Sequence, residues 1–323
     1  MGAMPKRLFL RRGRQVNLSL MSTLSRPVYL LLVLLFCLAW SSSFPFAKIA
    51  VSLEPPLLFL GMRFLAAAIL LLAFALATGW TRQSVPWHLL MLLGVINQGC
   101  YVGLSWLGLG GVSAGFATII ASLNPIVVAT LAAPLLGERL HWRKLLGLGL
   151  GLAGAIYIVR HGVLSGHERP FGVIMQFISL SALIIGTLAY KKFAPDVRLP
   201  VAVGFQQLGA GLVLGIAGLI FEQPSHLQFV PLFYLALFWQ IFVVSIGAFL
   251  LWFFLLSRGT ASSASALHFL MPPLGLVMSF AILHEPIQTH DLLGIIPIAL
   301  GIYLATKPDP RPGIIVADLP ATD

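Results

Sequence analysis

Charge is what this chain has least of. Asp, Glu, Lys and Arg make up 9 % of its 323 residues, where a soluble domain carries about a quarter. The acidic residues number ten and all fall in loops, at helix ends or in tails: Glu54, Glu138, Glu168, Asp196, Glu222, Glu285, Asp291, Asp309, Asp318 and Asp323. None is left inside an apolar run to relay protons or hold sodium, so acid-based ion coupling lacks its main part. Cysteine is scarce too. Cys37 and Cys100 both lie in apolar runs, and neither a disulfide framework nor a thiolate metal cluster is indicated. No His-x-x-x-His and no paired acids occur within a run, which leaves an intramembrane enzyme without a catalytic constellation. No cofactor and no metal are expected. Strict apolar/polar alternation is missing as well, which argues against a membrane β-barrel.

What the chain has in excess is apolar surface. Hydrophobic residues reach 59 % and the mean hydropathy is +0.96, so the outside of the protein must itself be apolar and lipid is its solvent. Candidate spans fall at 27–47, 55–79, 86–107, 111–136, 141–160, 171–191, 199–221, 231–256, 260–283 and 287–306, each close to the roughly 20 residues that cross a bilayer. The expected fold is therefore an all-α membrane protein of ten transmembrane helices. The breaks carry turn chemistry, as in "SLEPP", "GERLHWRK" and "HEPIQTHD". The net charge of +10 does not point to nucleic acid, because the bases sit between the runs and fix topology instead. With the N-terminus in the cytoplasm, nearly all Lys and Arg fall inside, from Lys6, Arg7, Arg11, Arg12, Arg14 and Arg26 through Arg139, Arg143, Lys144, Lys191, Lys192, Arg198 and Arg258 to Lys307 and Arg311. Lys48, Arg160 and Arg169 fall outside. The positive-inside rule then puts both termini in the cytoplasm of a multi-pass protein of the cell (inner) membrane. A signal peptide is the competing reading of the N-terminus, but its removal would leave nine spans and break the symmetry that follows.

The sequence contains itself twice. One register shift lays "SLNPIV" (122–127) on "FLMPPL" (269–274) and "LLGERL" (135–140) on "ILHEPI" (282–287). It superposes Pro125 on Pro272, Glu138 on Glu285, Gly147 on Gly294 and Gly154 on Gly301. Leucine matches are cheap in such a chain; matched proline and glutamate at one shift are not. The expected organisation is a basic cytoplasmic tail (1–26), a first five-helix repeat (27–160), a linker (161–170), a second repeat (171–306) and a C-terminal tail (307–323). Five is odd, so the second copy enters the membrane upside down. Inverted repeats are a transporter architecture, with the substrate near the midplane in a central cavity between them.

Three stretches resemble a known family. "AWSSSFPFAK" (39–48) is similar to a Trp-Gly-Ser-x-Phe…Lys pattern, with Ser41 in place of the glycine. "LGMRFLAAAILLL" (60–72) resembles an Arg-Phe-Leu start, and "LNPIVVATLAAPLLGERLHWRKLLGLGLGLAG" matches an Asn-Pro…Gly-Glu-Arg…Leu-Gly…Gly pattern. These are patterns of the EamA-type members of the drug/metabolite transporter superfamily, and the resemblance covers nearly the whole chain. It implies a ten-helix basket around a central cavity that moves small organic molecules, often outward. The aromatic lining expected here looks most like the YddG-type exporters of aromatic and other neutral amino acids. The second repeat departs from the pattern, with Met271 where the first has Asn124 and His284 where it has Gly137.

Polar and aromatic side chains at membrane depth supply the candidate substrate contacts: Trp40, Ser43, Gln98, Tyr101, Ser122, Asn124, Gln176, Phe249, Trp252, His268 and Met271. Ser105, Ser179 and Ser245 read instead as helix-packing residues, and Trp80, Trp87 and Trp142 as interface anchors. Arg63 reads as a snorkelling side chain or one tied to carbonyls near Glu54, with a substrate carboxylate as the alternative. Pro125 and Pro272 free carbonyls at mid-depth and suit gating hinges, carbonyl ligands or a static kink. Glu138 and Glu285 read as caps or gate latches. The function that follows is a facilitative exporter of aromatic or other neutral amino acids working by alternating access. A proton-coupled drug or metabolite antiporter using His268 is the alternative, and a channel is a more distant one. The partners are a small-molecule substrate and the bilayer, with no nucleic acid; a monomer is compatible with everything above.

Overall fold

The computed structural model describes residues 25–53, 55–80, 85–112, 120–138, 141–164, 169–284 and 293–306, and among them every regular element is helical. In chain order the helices are α1 (Pro27–Ser52), α2 (Pro56–Ala77), α3 (Trp87–Leu109) and α4 (Ile120–Leu136), then α5 (Trp142–Leu164). They continue as α6 (Pro170–Phe193), α7 (Leu199–Phe221), α8 (Pro231–Arg258) and α9 (Ala261–Leu283), ending in α10 (Ile295–Thr306). Seven of these, α1–α3 and α6–α9, are long and apolar enough to cross a membrane. α4 and α10 are shorter apolar helices within the described residues.

Proline opens many of the helices. It occupies the first turn of α1, α2, α6, α7 and α8, where its missing N–H has no partner to lose. Two expected boundaries move. α1 continues past 47 to Ser52, because Lys48 points to the exposed side of its helix and the chain meets no breaker before Pro55. α5 continues to Leu164, so the first residues of the expected linker are helical.

The outside of the bundle is as apolar as the composition demands: Ile69, Leu219, Ile220, Phe221 and Ile296 are all widely exposed. Hydrophobicity therefore cannot bring the helices together, and small residues at the contacts do so instead. α2 lies so close to α7 that a Cβ on Gly61 would sit 2.6 Å from the Cα of Gly215. α5 and α10 meet in the same way, a Cβ on Gly147 falling 2.6 Å from the Gly301 carbonyl oxygen. α3 packs between α6 and α7, and α9 lies beside α1, α4 and α10.

Charged side chains tie helix ends together. Glu222, just beyond α7, accepts from the backbone N–H groups of Leu57 (2.9 Å) and Leu58 (2.8 Å) at the start of α2. Glu138, just beyond α4, accepts from Ala261 N (2.6 Å) and Ser262 N (3.3 Å) at the start of α9, and from the Ser262 hydroxyl. Lys191, in the last turn of α6, donates to the carbonyls of Leu256 (2.7 Å) and Gly259 (2.6 Å) at the end of α8. Carboxylates thus meet helix N-termini and the ammonium meets a C-terminus, each on the favourable pole of the helix dipole.

Candidate functional site

Two helices lose their α-geometry in the middle. α3 widens to a π-turn over Val95–Cys100, and α8 does so over Gln240–Ala248. Such turns break the regular hydrogen-bond ladder and often mark functional positions. The first carries Asn97 and Gln98, the second Gln240 and Ser245, and all four are buried. α4 and α9 break differently. A tight turn, with Leu123 N donating to Ile120 O at 3.0 Å, precedes a helix that restarts at Asn124 with Pro125 in its first turn. In α9 a 3₁₀ turn over Leu267–Leu270 precedes a restart at Met271 with Pro272 in its first turn. Both prolines therefore stand at the start of a new helical segment, where the carbonyls they would leave open belong to the tight turn before them.

The second of these breaks faces an aromatic box. His268 is ringed by Trp252 (ring centroids 4.8 Å apart), Trp40 (5.8 Å) and Phe36 (6.3 Å), each edge-on. Phe36 stacks on Trp252 at 5.7 Å, and Trp40 meets Phe249 at 5.0 Å. All five rings are buried. Met271 joins the same wall, its sulfur 3.3 Å from the Ser41 hydroxyl. The His268 Nδ1 lies 3.1 Å from the Ser265 carbonyl, whereas its Nε2 and the Trp252 Nε1 are buried without a protein partner. Buried polar atoms are nearly always satisfied, so two open nitrogens among apolar rings mark this cluster as the candidate place for a molecule that brings polar atoms of its own.

Of the sequence-predicted residues, the fold brings Trp40, Phe249, Trp252, His268 and Met271 together in this box. Ser43 lies at its edge, its carbonyl accepting from Gln240 Nε2 at 3.0 Å. Gln98 and Asn124 are fully buried, both amide atoms of each unpartnered, and Ser122 is buried two residues before Asn124. Gln176 goes elsewhere. Its Nε2 donates to the Ser105 carbonyl at 2.9 Å and its Oε1 accepts from the Ser105 hydroxyl at 3.4 Å, so it serves the α3–α6 contact. Tyr101 is partly buried, and its carbonyl accepts from Ser179 at 2.7 Å. Glu138 binds the start of α9, while Glu285 lies outside the described residues.

Arg63 corrects the sequence reading. It does not snorkel: it is 2 % exposed, with Nε donating to the Ser245 hydroxyl at 2.7 Å. Ser245 in turn ties α2 to α8 and also accepts, through its carbonyl, from Gln207. Glu54, the other anchor considered, lies outside the described residues. The sequence reading also missed Phe36, although its spacing of four from Trp40 puts the two rings on one helix face. Gln207 was missed too; a glutamine pair at mid-span was the available signal. Among the described residues no group of three metal-ligating side chains comes together.

Comparison with known proteins bears on the fold and the family. A crystal structure of a protein with 22 % sequence identity superposes with a TM-score of 0.74, covering 87 % of this chain and 97 % of that one, which shows a shared fold. The transporter YvbV of Bacillus subtilis (strain 168) is 31 % identical over 276 residues, 85 % of this chain and 90 % of that protein. The inner membrane transporter YedA of Escherichia coli (strain K12) is 28 % identical over 285 residues, covering 83 % and 87 %. A "probable amino-acid metabolite efflux pump" of the same strain is 24 % identical over 287 residues, covering 84 % and 93 %. The EamA-like transporter family itself matches twice, over residues 27–160 and 170–307. An apolar-surfaced helical bundle with this fold, this family match in each half and these relatives belongs to the EamA-like transporter family, and is a multi-pass membrane transporter.

Proposed function

We propose that the chain exports aromatic or other neutral amino acids, or closely related metabolites, across the inner membrane. In this reading all of α1–α10 span the bilayer as two inverted five-helix halves with both termini in the cytoplasm. Access to a central site alternates between the two sides. The aromatic box carries the proposal. Five rings with two open nitrogens offer stacking and edge contacts to a flat or apolar side chain, and would suit a phosphorylated sugar badly. The efflux-pump relative makes amino-acid metabolites the natural class to test.

The described spans place no carboxylate beside His268, which favours a facilitative uniporter that moves substrate down its gradient. The open Nε2 of His268 is the specific observation behind proton antiport, the second reading. Both are decided in proteoliposomes holding the full chain. Trp, Phe, Thr and Met are offered against a sugar phosphate and a cationic dye, with and without a pH gradient. Saturable counterflow of amino acids, independent of the gradient, is expected. Accumulation driven by the pH gradient would replace uniport with antiport. Flux without saturation or counterflow would mean a channel, and preference for the sugar phosphate or dye would overturn the substrate class.

A further inference from the structure

We infer that Arg63 receives the carboxylate of the transported molecule, at a site shared by α2, α3, α7 and α8 beside the aromatic box. The inference rests on the amino-acid reading above and names the group that this class presents to the protein.

Arg63 stands in the second turn of α2 and is 2 % exposed. Its guanidinium carbon lies 4.8 Å from the Phe64 ring centroid and its Nε donates to the neutral hydroxyl of Ser245. Among the described residues no carboxylate pairs with it; the ion pair they contain is Lys144–Glu138, at 3.9 Å. A desolvated cation without a counter-charge costs several kcal/mol, and one ring face and one hydroxyl do not neutralise it. An ionisable residue at membrane depth calls for a charged partner, and the described residues offer none.

The surroundings are polar and unfinished. Gln207 gives its Nε2 to the Ser245 carbonyl, while its Oε1 is buried without a partner. Tyr101 opens the segment of α3 that packs on α2. Just before it in the π-turn of α3, both amide atoms of Gln98 and the Nδ2 of Asn97 are buried and unpartnered. The π-turn of α8 supplies Ser245. The hydroxyl and the open carboxamide beside the cation therefore come from the widened turn of α8 and from α7, while Asn97 and Gln98 sit on a stretch of α3 that packs against α6 and α7.

Arg63 also connects to the box. Phe64 meets Phe249 edge-on at 6.3 Å, and Phe249 meets Trp40 at 5.0 Å. The path from the guanidinium to the rings thus runs along Phe64 and Phe249, and a molecule held at Arg63 by its carboxylate presents its apolar group to that aromatic side. The planar guanidinium matches a carboxylate in bidentate fashion, and the open Gln207 Oε1 accepts from an ammonium. An α-amino acid has all three groups.

The test compares each amino acid with its own carboxamide, which keeps the side chain and the ammonium but removes the negative charge. Wild-type protein in proteoliposomes is expected to prefer phenylalanine over phenylalaninamide by about 100-fold in transport efficiency. Arg63→Gln is expected to lose phenylalanine transport by about 100-fold and with it the discrimination, and Arg63→Lys to fall between. Equal handling of acid and amide by wild-type protein overturns the inference, as does an Arg63→Gln protein that still discriminates. If Arg63→Gln does not fold, as read by thermal unfolding in detergent, the acid–amide comparison on wild-type protein decides alone. If the wild-type protein carries no amino acid at all, the substrate class falls first. Arg63 is then judged by thermal stabilisation with phenylpyruvate against its amide: selective stabilisation by the acid sustains the carboxylate site, and equal stabilisation removes it.

Discussion

α4 and α9 share one backbone and differ in chemistry. Each passes through a tight turn, restarts with a proline in the first turn of the new segment, and ends on a residue in the left-handed conformation: Gly137 at φ 69° and His284 at φ 56°. These are pairs that the register shift in the sequence superposes. The side chains at the break are not alike. α4 offers Asn124, buried with both amide atoms open, and Ala121 where α9 has His268. α9 offers His268 and Met271 to a wall of rings. The kink therefore belongs to the shared scaffold, and the copies differ in what each places on it: a carboxamide on one side, an imidazole and a thioether on the other.

That contrast can be broken most severely at the box itself. Trp252→Ala removes the ring that touches both Phe36 and His268, and is expected to abolish amino-acid counterflow and to cost about 3 kcal/mol of stability in detergent unfolding. Retained counterflow would show that the rings are packing alone. Next, His268→Ala should lower transport about tenfold, the loss of one edge-on ring contact and a polar one, while Ala121→Ser at the matching place leaves it unchanged. Equal effects would erase the asymmetry between the two helices.

The prolines test the shared part. Pro125→Ala and Pro272→Ala are expected to slow turnover by factors within about threefold of one another, without changing substrate preference. A change in preference from either would make the break itself a determinant of specificity. The smallest effect is at the helix ends. Because a side chain in the left-handed region costs about 1 kcal/mol, His284→Gly should raise stability by about that amount, and Gly137→His should lower it comparably. Thermal unfolding reads both, with transport unchanged.

Parts of this were plain from the residues. Long apolar runs punctuated by proline and glycine showed where helices lie, because lipid requires each segment to satisfy its own backbone. Trp40, Phe249, Trp252, His268 and Met271 stood out as aromatic or polar groups at mid-depth. What they could not show was which of them meet. Gln176 had the same credentials as His268, yet it is spent on Ser105 across α3 and α6, because helix rotation about its axis decides which polar groups face inward. The π-turns were invisible for a related reason. They answer to packing between helices, and no residue pattern demands them. Arg63 was misread because two turns from a helix end is within reach of the interface for a free helix, whereas α8 closes over it here.

The sequence by itself determined the solvent, the helices, the duplication and the positions of both proline breaks. Hydropathy, turn chemistry and repeated motifs are local properties, written in residues near one another along the chain. The tertiary structure alone decided that Phe36 completes the aromatic box, that Glu138 binds the start of α9 and that Arg63 is enclosed with no carboxylate beside it among the described residues. Each of these joins residues far apart in the chain, and their proximity follows from how closely the glycine-lined helices pack.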